Sequence, residues 1–69
     1  MKIDYNSEEL TSAFYDYGGE MEDGRKFVIH ATWDSWDDYG VDSIEWLEDA
    51  KGTDEEEEEI TEKFLSDNN

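Results

Sequence analysis

Cysteine and proline are both absent from this chain of 69 residues. Without cysteine there is no disulfide and no thiolate metal site, and nothing marks the redox compartment. Positive charge is scarce: five Lys plus Arg stand against 22 Asp plus Glu, a formal net charge of −17. No apolar run approaches the roughly 20 residues that span a bilayer. The opening MKIDYNSEEL lacks the apolar stretch of a secretory signal. The expectation is a soluble, cytoplasmic protein without membrane contact. Nucleic acid is also disfavoured as a direct partner, because phosphates would repel so acidic a chain.

Aromatic residues are plentiful by comparison. Three Trp, four Tyr and three Phe argue against disorder, since disordered acidic segments are poor in large rings. Each ring buries roughly 150–250 Å² when it packs. The chain therefore reads as one small folded domain, residues 1–69, with a thin core and acidic flanks. A core of this size supplies about 3–5 kcal/mol, and self-repulsion works against it.

The acids are unevenly distributed. Residues 1–24 carry seven and residues 34–49 carry seven, whereas RKFVIHATW at 25–33 carries none. Lys26 to Trp33 alternate, with Phe27, Ile29, Ala31 and Trp33 on one face, which predicts a central strand. Asp23-Gly24 before it is a preferred pair for a two-residue hairpin turn. A partner strand is expected at 13–21, weakened by Gly18 and Gly19, which mark a bulge or bend. Leu10, Ala13, Phe14 and Tyr17 also fit helical spacing, and a helical turn at 7–12 stays open. DSWDDYG at 34–40 reads as a polar loop. Residues 41–48 read as a third strand, with Ile44 and Trp46 on one face and Val41 and Leu47 on the other. The final element is a helix over 54–66. Thr53 and Glu56 form a capping box, Glu59 and Lys63 can pair at i, i+4, and Ile60 and Phe64 give a narrow apolar stripe. The fold class is α+β: a small antiparallel sheet of about three strands packed by a C-terminal helix.

Little in the chain suggests catalysis. His30 is the one histidine and reads as a strand residue that is packed or hydrogen-bonded. Asp34, Asp37, Asp38 and Gly40 invite comparison with a calcium loop, but Trp36 stands where a ligand is required. Neither an enzyme nor a cofactor or metal site is expected. The acids as a surface carry more information. Carboxylates at i and i+4 on a helix stand about 5–6 Å apart, and alternate strand residues roughly 6–7 Å apart, near the separation of neighbouring phosphates. Acids held this way would suit a basic protein groove. The candidate contact residues are Asp34, Trp36, Asp37, Asp38, Tyr39, Asp42, Glu45, Glu48 and Asp49 from the loop and third strand. From the helix come Asp54, Glu55, Glu56, Glu58, Glu59 and Glu62. Trp36 and Tyr39 are included because such rings are enriched at interface hot spots.

In its short length, missing cysteine, many aromatics and acids spread over helix and loop, as in DEEEEE and DSWDDYG, the chain resembles the small phage-encoded acidic DNA mimics. These include anti-restriction, anti-CRISPR and glycosylase-inhibitor proteins. The resemblance covers the whole chain but is compositional, with no shared motif to carry residue roles. It implies an inhibitor that occludes the basic groove of a nucleic-acid-binding protein, such as a host defence nuclease, in the host cytoplasm. Alternatives are an acidic adaptor on a basic partner, a halophile-adapted domain and a disordered activation-type segment; a homodimer would extend the acidic track.

Overall fold

The computed structural model describes residues 1–11, 14–34 and 38–68, and among these the side chains other than those of 9–11, 33–34 and 38–39. Four strands, β1 (Lys2–Thr11), β2 (Phe14–Glu20), β3 (Lys26–Asp34) and β4 (Asp38–Trp46), precede one helix, α1 (Asp54–Asn68). The strands form one antiparallel sheet in chain order, β1-β2-β3-β4. The helix covers one face with Ile60 and Phe64, both fully buried. The α+β class and the helix thus hold, while the sheet has four strands rather than three.

The centre follows from the alternation in β3. Phe27, Ile29 and Ala31 are fully buried, and their β2 partners Gly19, Tyr17 and Tyr15 share that face. Ile3 and Tyr17 complete the core. The opposite face holds Lys26, Val28, His30 and Thr32, all partly or fully exposed, as is common for an antiparallel sheet with one wet side.

Three departures from the sequence reading have local causes. The first is β1, which occupies the stretch where a helical turn had stayed open. Its pairing with β2 slips between Asp4↔Gly18 and Glu9↔Asp16, so residues 5–8 stand opposite Tyr17 alone. Ser7 fills the gap: its Oγ accepts from the Gly18 N–H at 2.7 Å and donates to the Asp4 carbonyl at 2.6 Å. A side chain thus replaces a ladder partner, so the strand shows no clean period. The rival helical spacing also fails: Tyr17 is buried while Phe14 is 43% exposed, as the two faces of a strand require.

The second is β4, which begins at Asp38, not 41, so the expected polar loop contracts. Asp34 pairs with Asp38 and Trp33 with Tyr39; Ser35, Trp36 and Asp37 lie outside the described residues. Within β4, His30 faces Ser43 and Ala31 faces Val41, which leaves Asp42 as an extra residue. This bulge shifts the phase. Val41 therefore joins Ile44 and Trp46 against the core, not the opposite face with Leu47.

The third is the hairpin between β2 and β3. Met21 N–H donates to the Arg25 carbonyl at 2.7 Å, and Gly24 N–H to the Met21 carbonyl at 3.0 Å. Gly24 has φ 95°. The loop is thus three residues, Glu22-Asp23-Gly24, ending on a left-handed glycine, rather than a two-residue turn.

Two other glycines allow close approach. A Cβ on Gly52 would lie 1.8 Å from the Trp46 ring, and one on Gly19 would lie 2.3 Å from the Phe27 ring and 2.9 Å from the Lys2 carbonyl. Gly40 has open space. Gly52→Ala and Gly19→Ala should each cost about 1–3 kcal/mol through overpacking, read from urea unfolding. Gly40→Ala should stay within about 0.5 kcal/mol of the parent.

Candidate acidic interface

The helix starts as its sequence dictates. Thr53 Oγ1 accepts from the Glu56 N–H at 3.1 Å, and Glu56 Oε1 accepts from the Thr53 N–H at 3.0 Å, the reciprocal capping box. Asp54, Glu55, Glu56 and Glu57 fill the first turn, where the positive end of the helix dipole favours them.

Two acids of that turn are engaged inside the molecule. Glu56 takes both terminal nitrogens of Arg25. Arg25 Nε also binds Asp23 at 2.7 Å, its Nη1 reaches the Lys51 carbonyl at 2.7 Å, and its guanidinium carbon lies 5.3 Å from the Trp46 ring centroid. Glu57 accepts from Trp46 Nε1 at 3.1 Å. The hydrogen bonds from Arg25, followed by the Thr53 N–H, pull the Glu56 carboxyl down to about 2. The same arginine lowers Asp23.

The outward side of α1 is different. Asp54, Glu55, Glu58, Glu59 and Glu62 are all exposed. Their spacing of one, three and four residues places them in one stripe opposite Ile60 and Phe64. None of these five carboxylates pairs with a cation or accepts a hydrogen bond from another described residue. Lys63, expected to pair with Glu59, instead lies 3.4 Å from Asp67. Asp67 also accepts from Tyr5 Oη at 2.6 Å, which lowers its carboxyl. Burial, then that hydrogen bond, pushes Tyr5 up to about 12. The helix end is thereby fastened to β1, and its acidic stripe is left un-neutralised.

Glu48 and Asp49 lie at the corner that leads from β4 towards the helix. Both are exposed, and both have left-handed backbones, φ 54° and 62°. Ala50 N–H donates to the Leu47 carbonyl at 2.9 Å, closing a tight turn over them. Such a turn favours Asn-Gly, and a non-glycine residue there carries roughly 1–2 kcal/mol of strain. The chain nonetheless places two carboxylates at this corner.

The other sequence candidates divide. Asp42 and Glu45 are exposed on β4, an edge strand of the sheet. Asp34, Asp38 and Tyr39 are placed only by backbone register, at the far end of the β3–β4 hairpin. Trp36 and Asp37 lie outside the described residues. Sequence reasoning passed over Asp16, whose Oδ1 lies 2.8 Å from His30 Nδ1. The two are direct cross-strand partners, so β2–β3 register was the signal for this pair. It also passed over Glu8, which accepts from Tyr17 Oη at 2.5 Å; the β1 slip that brings them together leaves no mark in the sequence. Lys2 and Lys26 flank Glu20 across the open sheet face, so that face is of mixed charge while the helix stripe is purely acidic.

No protein-family model, curated protein or solved structure matches the chain. No helix among the described residues is long and apolar enough to cross a membrane.

The folded state holds Glu56 ionised to lower pH than the unfolded chain does, from 4.5 to about 2. Its contribution to stability is present above about pH 4.5 and is lost as pH falls towards 2. Carboxyl NMR titration should place Glu56 near the lower value, and Arg25→Gln should return it towards 4.5. For the corner, Glu48→Asn with Asp49→Gly should raise the thermal midpoint by about 4–8 °C, the shift that roughly 1 kcal/mol gives a domain of this size.

Proposed function

We propose that the chain is a non-enzymatic inhibitor that presents fixed carboxylates in place of nucleic-acid phosphates and occludes the basic groove of a nucleic-acid-binding protein. The observation that carries this reading is the exposed, unpaired stripe Asp54, Glu55, Glu58, Glu59 and Glu62. It stands on a helix secured at both ends, by Arg25 near its start and by Tyr5 near its finish. Fixed charge of this kind steers an oppositely charged cleft and loses little freedom on binding.

The strained corner supports the same reading. Glu48 and Asp49 keep two anions where neutral residues would sit more comfortably. Strain of this kind clusters at functional sites. Asp42 and Glu45 stand apart from this stripe on the β4 edge, where Glu45 shares the open sheet face with its partner Val28. There, charge also discourages strand pairing with another chain.

Lys replacing Glu55, Glu58 and Glu62 together should leave the circular dichroism spectrum unchanged, because all three side chains are exposed and mutual repulsion falls. Immobilised parent protein should retain a nucleic-acid-binding protein from a cell lysate at low salt and release it as salt rises; the triple variant should not. A retained partner that still bound DNA while held would favour an acidic adaptor over an occluding inhibitor.

A further inference from the structure

Among the described residues, Glu48 and Asp49 are the only ones other than glycine with a left-handed backbone, φ 54° and 62°. They sit where the chain leaves β4 for the helix that covers the sheet. Little closes this corner. Within residues 47–50 there is one hydrogen bond, from Ala50 N–H to the Leu47 carbonyl at 2.9 Å, while Leu47 N–H still follows the sheet and donates to the Lys26 carbonyl at 2.9 Å. Both carboxylates at the corner are exposed.

The contacts that seat α1 all run from one side of the corner to the other. Arg25 holds the Lys51 carbonyl and Glu56, and Trp46 Nε1 holds Glu57. Gly52 lets the Trp46 ring approach. Tyr5 holds Asp67, and the Tyr17 and Phe64 rings stand 5.3 Å apart. In every pair one member precedes residue 47 and the other follows residue 50. A second copy of the chain supplies either member unchanged.

We propose that two copies of this chain exchange the segment from Lys51 onward, each helix seating on the other copy's sheet, with residues 47–50 straightened as the hinge. Exchange of an identical element is a low-cost route to a dimer, and short strained hinge loops invite it. Straightening takes two L residues out of a conformation that disfavours them and breaks only the Ala50–Leu47 hydrogen bond within the hinge. Four extended residues span roughly 13–14 Å, so Glu48 and Asp49 of one copy lie near those of the other. Their repulsion opposes exchange in dilute buffer, and salt relieves it. A basic partner responds to salt in the opposite sense, and the exchange does not rest on the phosphate-mimicking reading.

The test is refolding of the full chain from urea at low and at high protein concentration, read by size-exclusion chromatography with light scattering. A monomer is expected at low concentration. At high concentration a dimer should appear with the monomer's circular dichroism spectrum, in a fraction that grows with salt. That dimer should survive dilution until the chain is unfolded again; one that separates on dilution alone is a surface contact and would overturn the exchange. Asp49→Pro fixes φ at about −65° and drives Glu48 to extended backbone, so it should strengthen dimerisation at least about tenfold. Glu48→Asn with Asp49→Gly suits the turn and should weaken it by about as much. Loss of two carboxylates alone would favour the dimer, so a weakening reports the backbone; an unchanged dimer would remove strain as the cause. Refolding Arg25→Glu together with Glu56→Arg tests the exchange without touching the hinge. Each variant alone sets like charges together, whereas exchange between them restores one native Arg25–Glu56 pair and one reversed pair. A heterodimer found only in the mixture is expected. A mixture without it, or an Asp49→Pro chain that folds as a monomer, would sink the proposal.

Discussion

One guanidinium joins the β2–β3 turn, the segment before the helix and the first helical turn. Arg25 lies at the end of the β2–β3 turn and reaches Asp23 in that turn, the Lys51 carbonyl in the segment before the helix, and Glu56 in the first helical turn. Its flat side rests on Trp46, whose own nitrogen binds Glu57. In a chain of net charge −17, a single cation with five donors in a planar fork satisfies several acids at once, which a lysine could not do. The capping box, the Trp46–Gly52 contact and the seating of α1 on the sheet all lie within reach of this one side chain. The outward carboxylates can remain unpaired because the inward ones are satisfied.

This arrangement separates two populations of acid that look alike in sequence. Within the run 54–59, Glu56 and Glu57 turn inward and stabilise the fold, whereas Asp54, Glu55, Glu58 and Glu59 face water. Helical periodicity alone predicts which side each residue takes. What it cannot predict is that a positive charge 31 residues earlier in the chain waits on one side. Glu56 was therefore grouped with the surface acids, although it is bound to Arg25 and to the helix N-terminus.

Elements with undisturbed periods were the most legible. β3 alternates without a break, so its core face, Phe27, Ile29 and Ala31, was readable directly. The helix start followed from Thr53 and Glu56, and its buried stripe from Ile60 and Phe64. Legibility failed where a strand carries extra residues. Ser7 substitutes for a backbone partner in β1, so the stretch shows no clean strand period and a helical turn at 7–12 stayed open. Asp42 inserts into β4 and moves Val41 to the core face. Both irregularities depend on a neighbouring strand, and neither is encoded by local propensity. The acid-rich helix of the candidate interface was legible for the same reason as the helix itself. The left-handed corner at Glu48 and Asp49 was not, because these residue types are not those such a turn selects.

The order of the elements has a consequence for synthesis. All four strands precede α1, and that helix contributes Ile60, Phe64 and Leu65 to the core that holds Tyr17, Phe27 and Ile29. Until that helix emerges from the ribosome, a sheet-forming nascent chain lacks the helix residues that complete this core. The carboxylates on the already translated strands would keep neighbouring nascent chains apart during that interval. Abundant negative charge would thus serve the protein before any partner is met, as its own guard against clumping while it is still half made.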